Sequence, residues 1–198
     1  NAVELLSVVQ WPFLAFVALM AEPIVWIWFG PTWMEVVPLI RMLCVGSLSL
    51  FAACLTYPVL VAAGSVRDTL VSSLISLPPS LLMIFIASFF GVQAVAASAL
   101  VTLPFQAVVA FYFVSKHLKI KAADVARATV KSGIVAVCTI AGAFMSMVMI
   151  EIVKSGAIAA VLTAGACGVA GWWLGLLMTD HPLLAQLRLL ASSISFGG

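Results

Sequence analysis

The polar side chains that could do chemistry in this chain are few, and Arg41 is the most notable of them. It lies about five residues into an apolar segment that begins near Val36. One interpretation is that its long side chain turns back toward the nearest polar surface, where Glu35 is close in sequence. The other is that it faces a water-filled cavity and binds an anionic head group, because a guanidinium presents a planar fork of donors that suits phosphate.

Four further polar residues stand inside apolar segments and are candidates for the same cavity. An alternative for each of them is a hydrogen bond to a neighbouring helix, which is a common use of such residues in membranes. Together with Arg41, three of them form our predicted substrate-cavity set, Gln10, Tyr57 and Gln106, and the fourth, Gln93, is a weaker candidate.

The sequence contains no constellation typical of an enzyme. His117 and His181 have no carboxylate at the spacing of a triad or a metal site, apart from the ordinary neighbour Asp180. The four cysteines stand alone in apolar stretches and are predicted to be small buried hydrophobes. We therefore predict a protein that is not an enzyme, with no catalytic residue, no metal site and no cofactor.

Composition identifies the solvent of most of this chain as lipid. Of 198 residues, 65% are apolar and only 8% are charged, against about 25% charged residues in an ordinary soluble domain. A soluble globule with so few charges would expose large apolar patches. The composition therefore excludes a soluble domain, a disordered chain and a nucleic-acid-binding surface, and it predicts membrane lipid as a partner.

Charge-free runs predict about six membrane-spanning helices. A hydrocarbon core about 30 Å thick needs roughly 20 apolar residues per helix, so the 47 residues from 69 to 115 must fold back on themselves, most naturally at Gly91. The fold class is therefore all-α, a polytopic membrane helix bundle. The predicted spans are 5–21, about 36–66, 69–90, 92–115, 132–150 and one within 155–179.

Basic residues are distributed unequally between the two sides of this bundle. Cytoplasmic loops carry an excess of Lys and Arg, and seven of the nine basic residues fall in alternate connections and the C-terminal tail, with one on the other side and Arg41 within a span. Both ends are therefore predicted to be cytoplasmic. The predicted regions are four spans in 1–115, a basic cytoplasmic loop at 116–131, an additional hairpin at 132–179 and a cytoplasmic tail at 180–198.

Prolines and small residues mark the places where these helices bend or pack closely. Each intramembrane proline removes a backbone donor, and hydroxyls such as Ser76, Ser80 and Thr102 could bond the carbonyls that are released. The spacing of Gly171 and Gly175 predicts a close helix–helix contact. A tryptophan cluster at 26, 28 and 33 is typical of an aromatic belt at the membrane interface. The prolines concerned are Pro12, Pro58, Pro78, Pro79 and Pro104.

Several short landmarks follow one another in a fixed order along the chain. They are Leu6 with Pro12, Ala21-Glu22-Pro23 followed by Phe29-Gly30-x-x-Trp33, Pro38-Leu39 with Leu43, Pro58-Val59-Leu60 with Ala62 and Gly64, and Gly91-Val92 with Ala94-Val95-Ala96. Their serial order resembles the C-terminal part of bacterial polysaccharide flippases of the Wzx type, within the multidrug/oligosaccharidyl-lipid/polysaccharide exporter superfamily. The similarity covers residues 5–120 best.

This resemblance implies a fold, a cargo and a location. The four spans of 1–115 would end the second lobe of a two-lobe exporter, 132–179 would be an added pair, and the N-terminal lobe would be a missing part of the same chain. The absence of a starting methionine agrees with that expectation. Such proteins flip undecaprenyl-pyrophosphate-linked oligosaccharide across the bacterial inner membrane by alternating access.

Two alternatives remain open at this stage. A drug or small-solute antiporter of the same superfamily would be expected to carry membrane-buried acidic residues for ion coupling, and none lies at mid-depth in this sequence. A non-transporting membrane scaffold subunit would be expected to have no second lobe.

Overall fold

The computed structural model describes residues 2–62, 64–118, 122–153, 157–179 and 183. Regular structure in these ranges is helical throughout, as the fold class predicted. The elements in chain order are α1 (Ala2–Leu19), α2 (Ala21–Phe29), a 3₁₀ helix (Pro31–Val36), α3 (Val37–Ser47), α4 (Leu50–Ala62), α5 (Val66–Ser88), α6 (Val92–Leu118), α7 (Ala122–Val153) and α8 (Ala157–Met178).

Four of the described helices are long and apolar enough to cross a membrane. They correspond to the third, fourth, fifth and last predicted spans, and a fifth crossing results if Leu5–Leu19 and Ala21–Phe29, which are separated by a bend, form one span. The molecule is therefore a multi-pass helical membrane protein. The four candidate spans are Val66–Ser88, Val92–Lys116, Thr129–Val148 and Ile158–Met178.

The hairpin of α5 and α6 confirms the predicted reversal within the long charge-free run. Gly91 separates the two helices with a φ of +97°, a backbone conformation that glycine adopts without strain and other residues rarely adopt. Such a reversal is expected at a proline or a glycine. Elsewhere in the lipid interior, the backbone N–H and C=O groups must be bonded to each other within a continuous helix.

The second predicted span, from about residue 36 to 66, is not one helix. It is divided into α3 and α4 by a turn at Leu48 and Ser49. The Ser49 hydroxyl donates a hydrogen bond to the Gly46 carbonyl at 2.8 Å, and the Ser49 N–H also points to that carbonyl at 3.4 Å. These two bonds close the turn between the helices.

The interval 116–131 is the predicted basic loop, in which the periodicity of residues 122–130 allows a short surface helix, and its described residues are helical. α6 continues to Leu118, and α7 begins at Ala122. Residues 122–131 contain four alanines and neither glycine nor proline, so helix propensity favours continuing the transmembrane helix beyond the bilayer. At 32 residues, α7 is about 48 Å long, which leaves its charged first turns outside a hydrocarbon core about 30 Å thick.

Burial along α5 is the inverse of burial in a soluble protein. Its buried residues are serines, Ser72, Ser76 and Ser80, whereas large apolar side chains on its other faces are exposed. A soluble helix buries its apolar stripe and exposes polar residues. This inversion is expected when hydrocarbon surrounds the helix. The exposed side chains include Leu70, Leu74, Leu77, Leu81, Leu82 and Phe85.

Contacts divide the chain into two units. The first unit combines α1 with the described residues from Arg127 onward, and the second runs from Met20 to Ala126. α1 packs with the final hairpin, because Val8, Val135 and Leu176, all 0% exposed, form one apolar cluster.

Small residues allow the helices of each unit to approach closely. In the second unit, a Cβ placed on Gly46 of α3 would lie 2.9 Å from the Ala99 carbonyl oxygen of α6. In the first unit, a Cβ on Gly171 of α8 would lie 2.5 Å from the Cys138 carbonyl oxygen of α7. The close helix contact predicted from Gly171 and Gly175 is thereby confirmed.

Candidate functional site

Arg41 forms an ion pair with a carboxylate that the sequence analysis did not assign to it. Its Nη2 lies 3.8 Å from Oε2 of Glu22, which stands in the first turn of α2. The expected neighbour, Glu35, is exposed on the 3₁₀ helix. The two paired side chains are 50% and 62% exposed. A long, half-exposed ion pair contributes little net stability.

Gln106 belongs to a polar seam between α5 and α6, which we define as Ser72, Ser76, Ser80, Ser98, Thr102 and Gln106. Its Nε2 lies 3.1 Å from Ser80 Oγ, across the hairpin. The Ser80 hydroxyl in turn donates to the Ser76 carbonyl at 2.7 Å. The five serine and threonine members of the seam are buried. For Gln106, the helix–helix interpretation therefore describes the observed contact better than a cavity wall does.

The hydroxyl near the paired prolines acts differently from what the sequence suggested. Pro78 and Pro79 lack the N–H groups that would bond the carbonyls of Leu74 and Ile75 in a regular helix. The Ser80 hydroxyl bonds the next carbonyl, that of Ser76. Ser80 therefore strengthens the turn after the released carbonyls rather than replacing the missing donors.

The predicted cavity residues belong to both units. Gln10 lies half-buried on α1 in the first unit, whereas Arg41 and Gln106 belong to the second unit, where each has a separate partner. Gln93 is exposed near the start of α6. Tyr57 lies within α4, but its side chain is outside the described residues. Arg41 forms an ion pair with Glu22, and this pair is the charged part of the candidate site.

One contact between helices was missed by sequence reasoning altogether. Pro12 has no N–H to bond the Val8 carbonyl, and the indole Nε1–H of Trp172, on α8, donates to that carbonyl at 2.9 Å. The proline alone indicated that the Val8 carbonyl needed a donor. The sequence offered two adjacent indoles, Trp172 and Trp173, in a different span, and only the packing identifies which of them supplies it.

The aromatic residues of α2 and the 3₁₀ helix are exposed, as expected of side chains that meet lipid head groups. Trp28 is 79% exposed, and the rings of Phe29 and Trp33 lie 6.1 Å apart, centre to centre, at an interplanar angle of 51°. An indole with an apolar body and one polar donor suits the membrane interface. The aromatic belt stays a prediction.

The described ranges contain no candidate metal site. Among those residues, no group of three histidine, cysteine, aspartate or glutamate side chains comes together as metal ligands. The two described cysteines of the first unit, Cys138 and Cys167, instead present backbone carbonyls to glycines of the opposite helix.

Comparison with protein-family models, with curated proteins and with solved structures finds no match to this chain. Function must therefore be argued from the residues and their geometry.

We expect the Gln106–Ser80 hydrogen bond to make a modest contribution to stability. Gln106→Leu should lower the free energy of unfolding by about 0.6 kcal/mol, the average for a hydrogen bond between membrane helices. The change is measured by titrating the purified protein from mild detergent into a denaturing one. Gln93→Leu makes the same substitution at an exposed position and should cause no loss. Equal losses of unfolding free energy in both variants would contradict the Gln106–Ser80 hydrogen bond as the source of the stability.

Proposed function

We propose that this chain is the C-terminal part of a bacterial inner-membrane transporter that flips or exports lipid-linked oligosaccharide by alternating access. Six membrane crossings, cytoplasmic ends and a second lobe supplied by the missing N-terminal part of the same chain belong to this proposal. The cargo would be an undecaprenyl-pyrophosphate-linked oligosaccharide, and the guanidinium of Arg41 would contact its pyrophosphate.

The charged ends of the α5–α6 hairpin support the proposed orientation. Lys116 Nζ, near the end of α6, lies 3.9 Å from Asp68 Oδ2 in the first turn of α5. Arg67 is exposed beside it. The hairpin therefore collects basic residues at one end and has none at its turn, residues 89–91. Under the positive-inside rule the basic end faces the cytoplasm.

The observation that carries the proposed mechanism is the exposed Arg41–Glu22 pair. A charged residue within an apolar segment of a membrane protein is a functional candidate by default. Hydrogen bonds between arginine and phosphate are charge-assisted and often bidentate, and they are stronger than a 3.8 Å contact with one carboxylate oxygen. An anionic lipid head group would therefore displace Glu22 when it arrives and release it when it leaves.

Export of polymer in cells tests this role of Arg41. In the complete protein, Arg41→Ala should lower export about tenfold or more at unchanged protein level, because a charge-assisted hydrogen bond is worth about 1.5–3 kcal/mol. Arg41→Lys should retain part of the activity, since it keeps the charge and loses the planar fork. Arg67→Ala removes an exposed arginine outside the pair and is the matched control.

Two outcomes would count against the proposal. Normal export by Arg41→Ala would remove the guanidinium from the cargo site. Export of small solutes or drugs, without movement of lipid-linked oligosaccharide by the purified complete protein in vesicles, would favour the antiporter. A coupling carboxylate would then have to lie outside this chain or outside its described residues, because no described aspartate or glutamate lies near the middle of a candidate span.

A further inference from the structure

Three exposed aromatic side chains continue from the Arg41–Glu22 pair within the second unit. Trp26 stands four residues after Glu22 on α2, and Phe29 stands seven residues after it, so these side chains lie on one face of the helix. Trp33, on the 3₁₀ helix, has its ring centre 6.1 Å from that of Phe29. We call Trp26, Phe29 and Trp33 the aromatic stripe.

The turn between α2 and the 3₁₀ helix brings the last ring to this stripe. Gly30 has a φ of +80°, which glycine adopts without strain, and its N–H donates to the Trp26 carbonyl at 3.1 Å. The Trp33 N–H in turn donates to the Gly30 carbonyl at 3.3 Å. Val25 and Val37, both buried, belong to one apolar cluster that packs α2 against α3. The ion pair and the aromatic stripe are therefore parts of one packed substructure.

The aromatic stripe has the chemistry of a saccharide-binding surface. Each of its side chains is more than half exposed. The face of an aromatic ring carries partial negative charge, which attracts the C–H groups on the flat side of a pyranose ring. At one end of the stripe, the Glu22 carboxylate can accept hydrogen bonds from sugar hydroxyls. An acyl chain would gain nothing from a carboxylate, so this combination favours a glycan over lipid hydrocarbon.

We propose that the aromatic stripe binds the oligosaccharide of the lipid-linked cargo while Arg41 contacts its pyrophosphate. The inference rests on the proposed function and adds the place where the sugars are recognised. The first sugar is attached directly to the pyrophosphate, so it would lie beside Glu22 and Trp26, and the next sugars would lie along Phe29 and Trp33. In the proposed orientation this segment lies on the outer side of the membrane, so the stripe would bind the glycan after its passage.

Binding to the complete protein in lipid nanodiscs tests this role. The two probes are the lipid-linked oligosaccharide that accumulates in cells lacking the protein, and undecaprenyl pyrophosphate without a glycan. The native protein should bind the first probe about tenfold more tightly, because it adds contacts with several aromatic faces. Trp26→Leu and Trp33→Leu should each remove much of this preference. Their affinity for undecaprenyl pyrophosphate should stay unchanged, which also shows that the variants fold.

Trp28→Leu is the matched control. Trp28 follows Trp26 by two residues, so it lies about 200° around α2 from the aromatic stripe, and it is more exposed than Trp26. The same chemical change there should leave the preference for the glycan intact. An equal loss of preference in Trp28→Leu and Trp26→Leu would overturn the proposal, because it would show that these tryptophans act only as anchors at the membrane interface.

Arg41→Ala separates a failure of this inference from a failure of the proposed function. It should lower the affinity for both probes by the same factor, since both carry the pyrophosphate. If the native protein binds the two probes equally and both bindings depend on Arg41, the proposed function stands and the aromatic stripe does not bind the glycan. Binding of neither probe would contradict the proposed function, and the inference would fall with it.

Discussion

Gly171→Ala should destabilise the α7–α8 hairpin by about 1–3 kcal/mol, the usual cost of forcing extra volume into a packed contact. The added Cβ would lie 2.5 Å from the Cys138 carbonyl oxygen, which is a backbone atom and cannot rotate away. The contact is reciprocal, because a Cβ on Gly142 of α7 would lie 2.5 Å from the Cys167 carbonyl oxygen of α8. The two helices must separate to accept either methyl group.

Gly165→Ala on the same helix is the matched control. The chemical change and the gain in helix propensity are identical, but the new Cβ meets nothing closer than the Phe16 ring at 4.0 Å. Replacing a helical glycine by alanine then stabilises by about 0.5–1 kcal/mol. The two variants should therefore change the free energy of unfolding in opposite directions, measured on the full chain by titration with a denaturing detergent.

The close approach explains how this hairpin holds together without a polar core. Lipid tails are as apolar as leucine, so hydrophobic burial does not draw two membrane helices together. Contacts between backbones at glycine supply dispersion and weak Cα–H···O hydrogen bonds instead. A Gly171→Ala variant as stable as Gly165→Ala would show that the hairpin relaxes freely and that this contact does not stabilise it.

Features that depend on local chemistry were predictable from the sequence. The α5–α6 reversal follows from 47 uncharged residues and one glycine, and the α7–α8 contact follows from the spacing of Gly171 and Gly175. Both patterns act over one or two helices, so no knowledge of the remaining packing was needed to interpret them.

Continuity of the backbone was harder to predict. The apolar run that composition assigns to one helix is divided by a turn at Leu48 and Ser49. The periodicity of residues 122–130 allows a short surface helix, but it does not show that this helix continues into the membrane span as one α7 of 32 residues. Hydropathy describes the solvent of a segment, and it does not determine whether the backbone is continuous.

Partners in the candidate sites were the least predictable part. Arg41 was assigned a helper from its nearest acidic neighbour in sequence, Glu35, but its carboxylate comes from Glu22, on a separate helix. Pro12 indicated that the Val8 carbonyl lacks its helical donor. The donor is the Trp172 indole N–H, which is 164 positions away in the chain. Such pairs are fixed by tertiary packing, which a single sequence does not encode in its spacing.

A lysine at the centre of α5 should test most directly whether hydrocarbon surrounds this helix. Leu77 is the middle residue of Val66–Ser88 and is 49% exposed. Leu77→Lys should cost about 2.5–3.5 kcal/mol in membrane insertion, the penalty for a charge near the centre of a membrane helix. The fraction of the full chain that is inserted and folded should fall accordingly, measured by membrane fractionation and by a topology reporter placed after α6.

Val66→Lys provides the control at the end of the same helix. Val66 is 61% exposed, and it lies 11 positions from Leu77, about 16 Å along the helix axis. A lysine there can extend its ammonium group to the interface and should be tolerated. Equal tolerance of both lysines would contradict the lipid-facing assignment. It would mean instead that the exposed leucines of α5 line a water-filled passage, because only water or a partner charge could accept an ammonium at that depth.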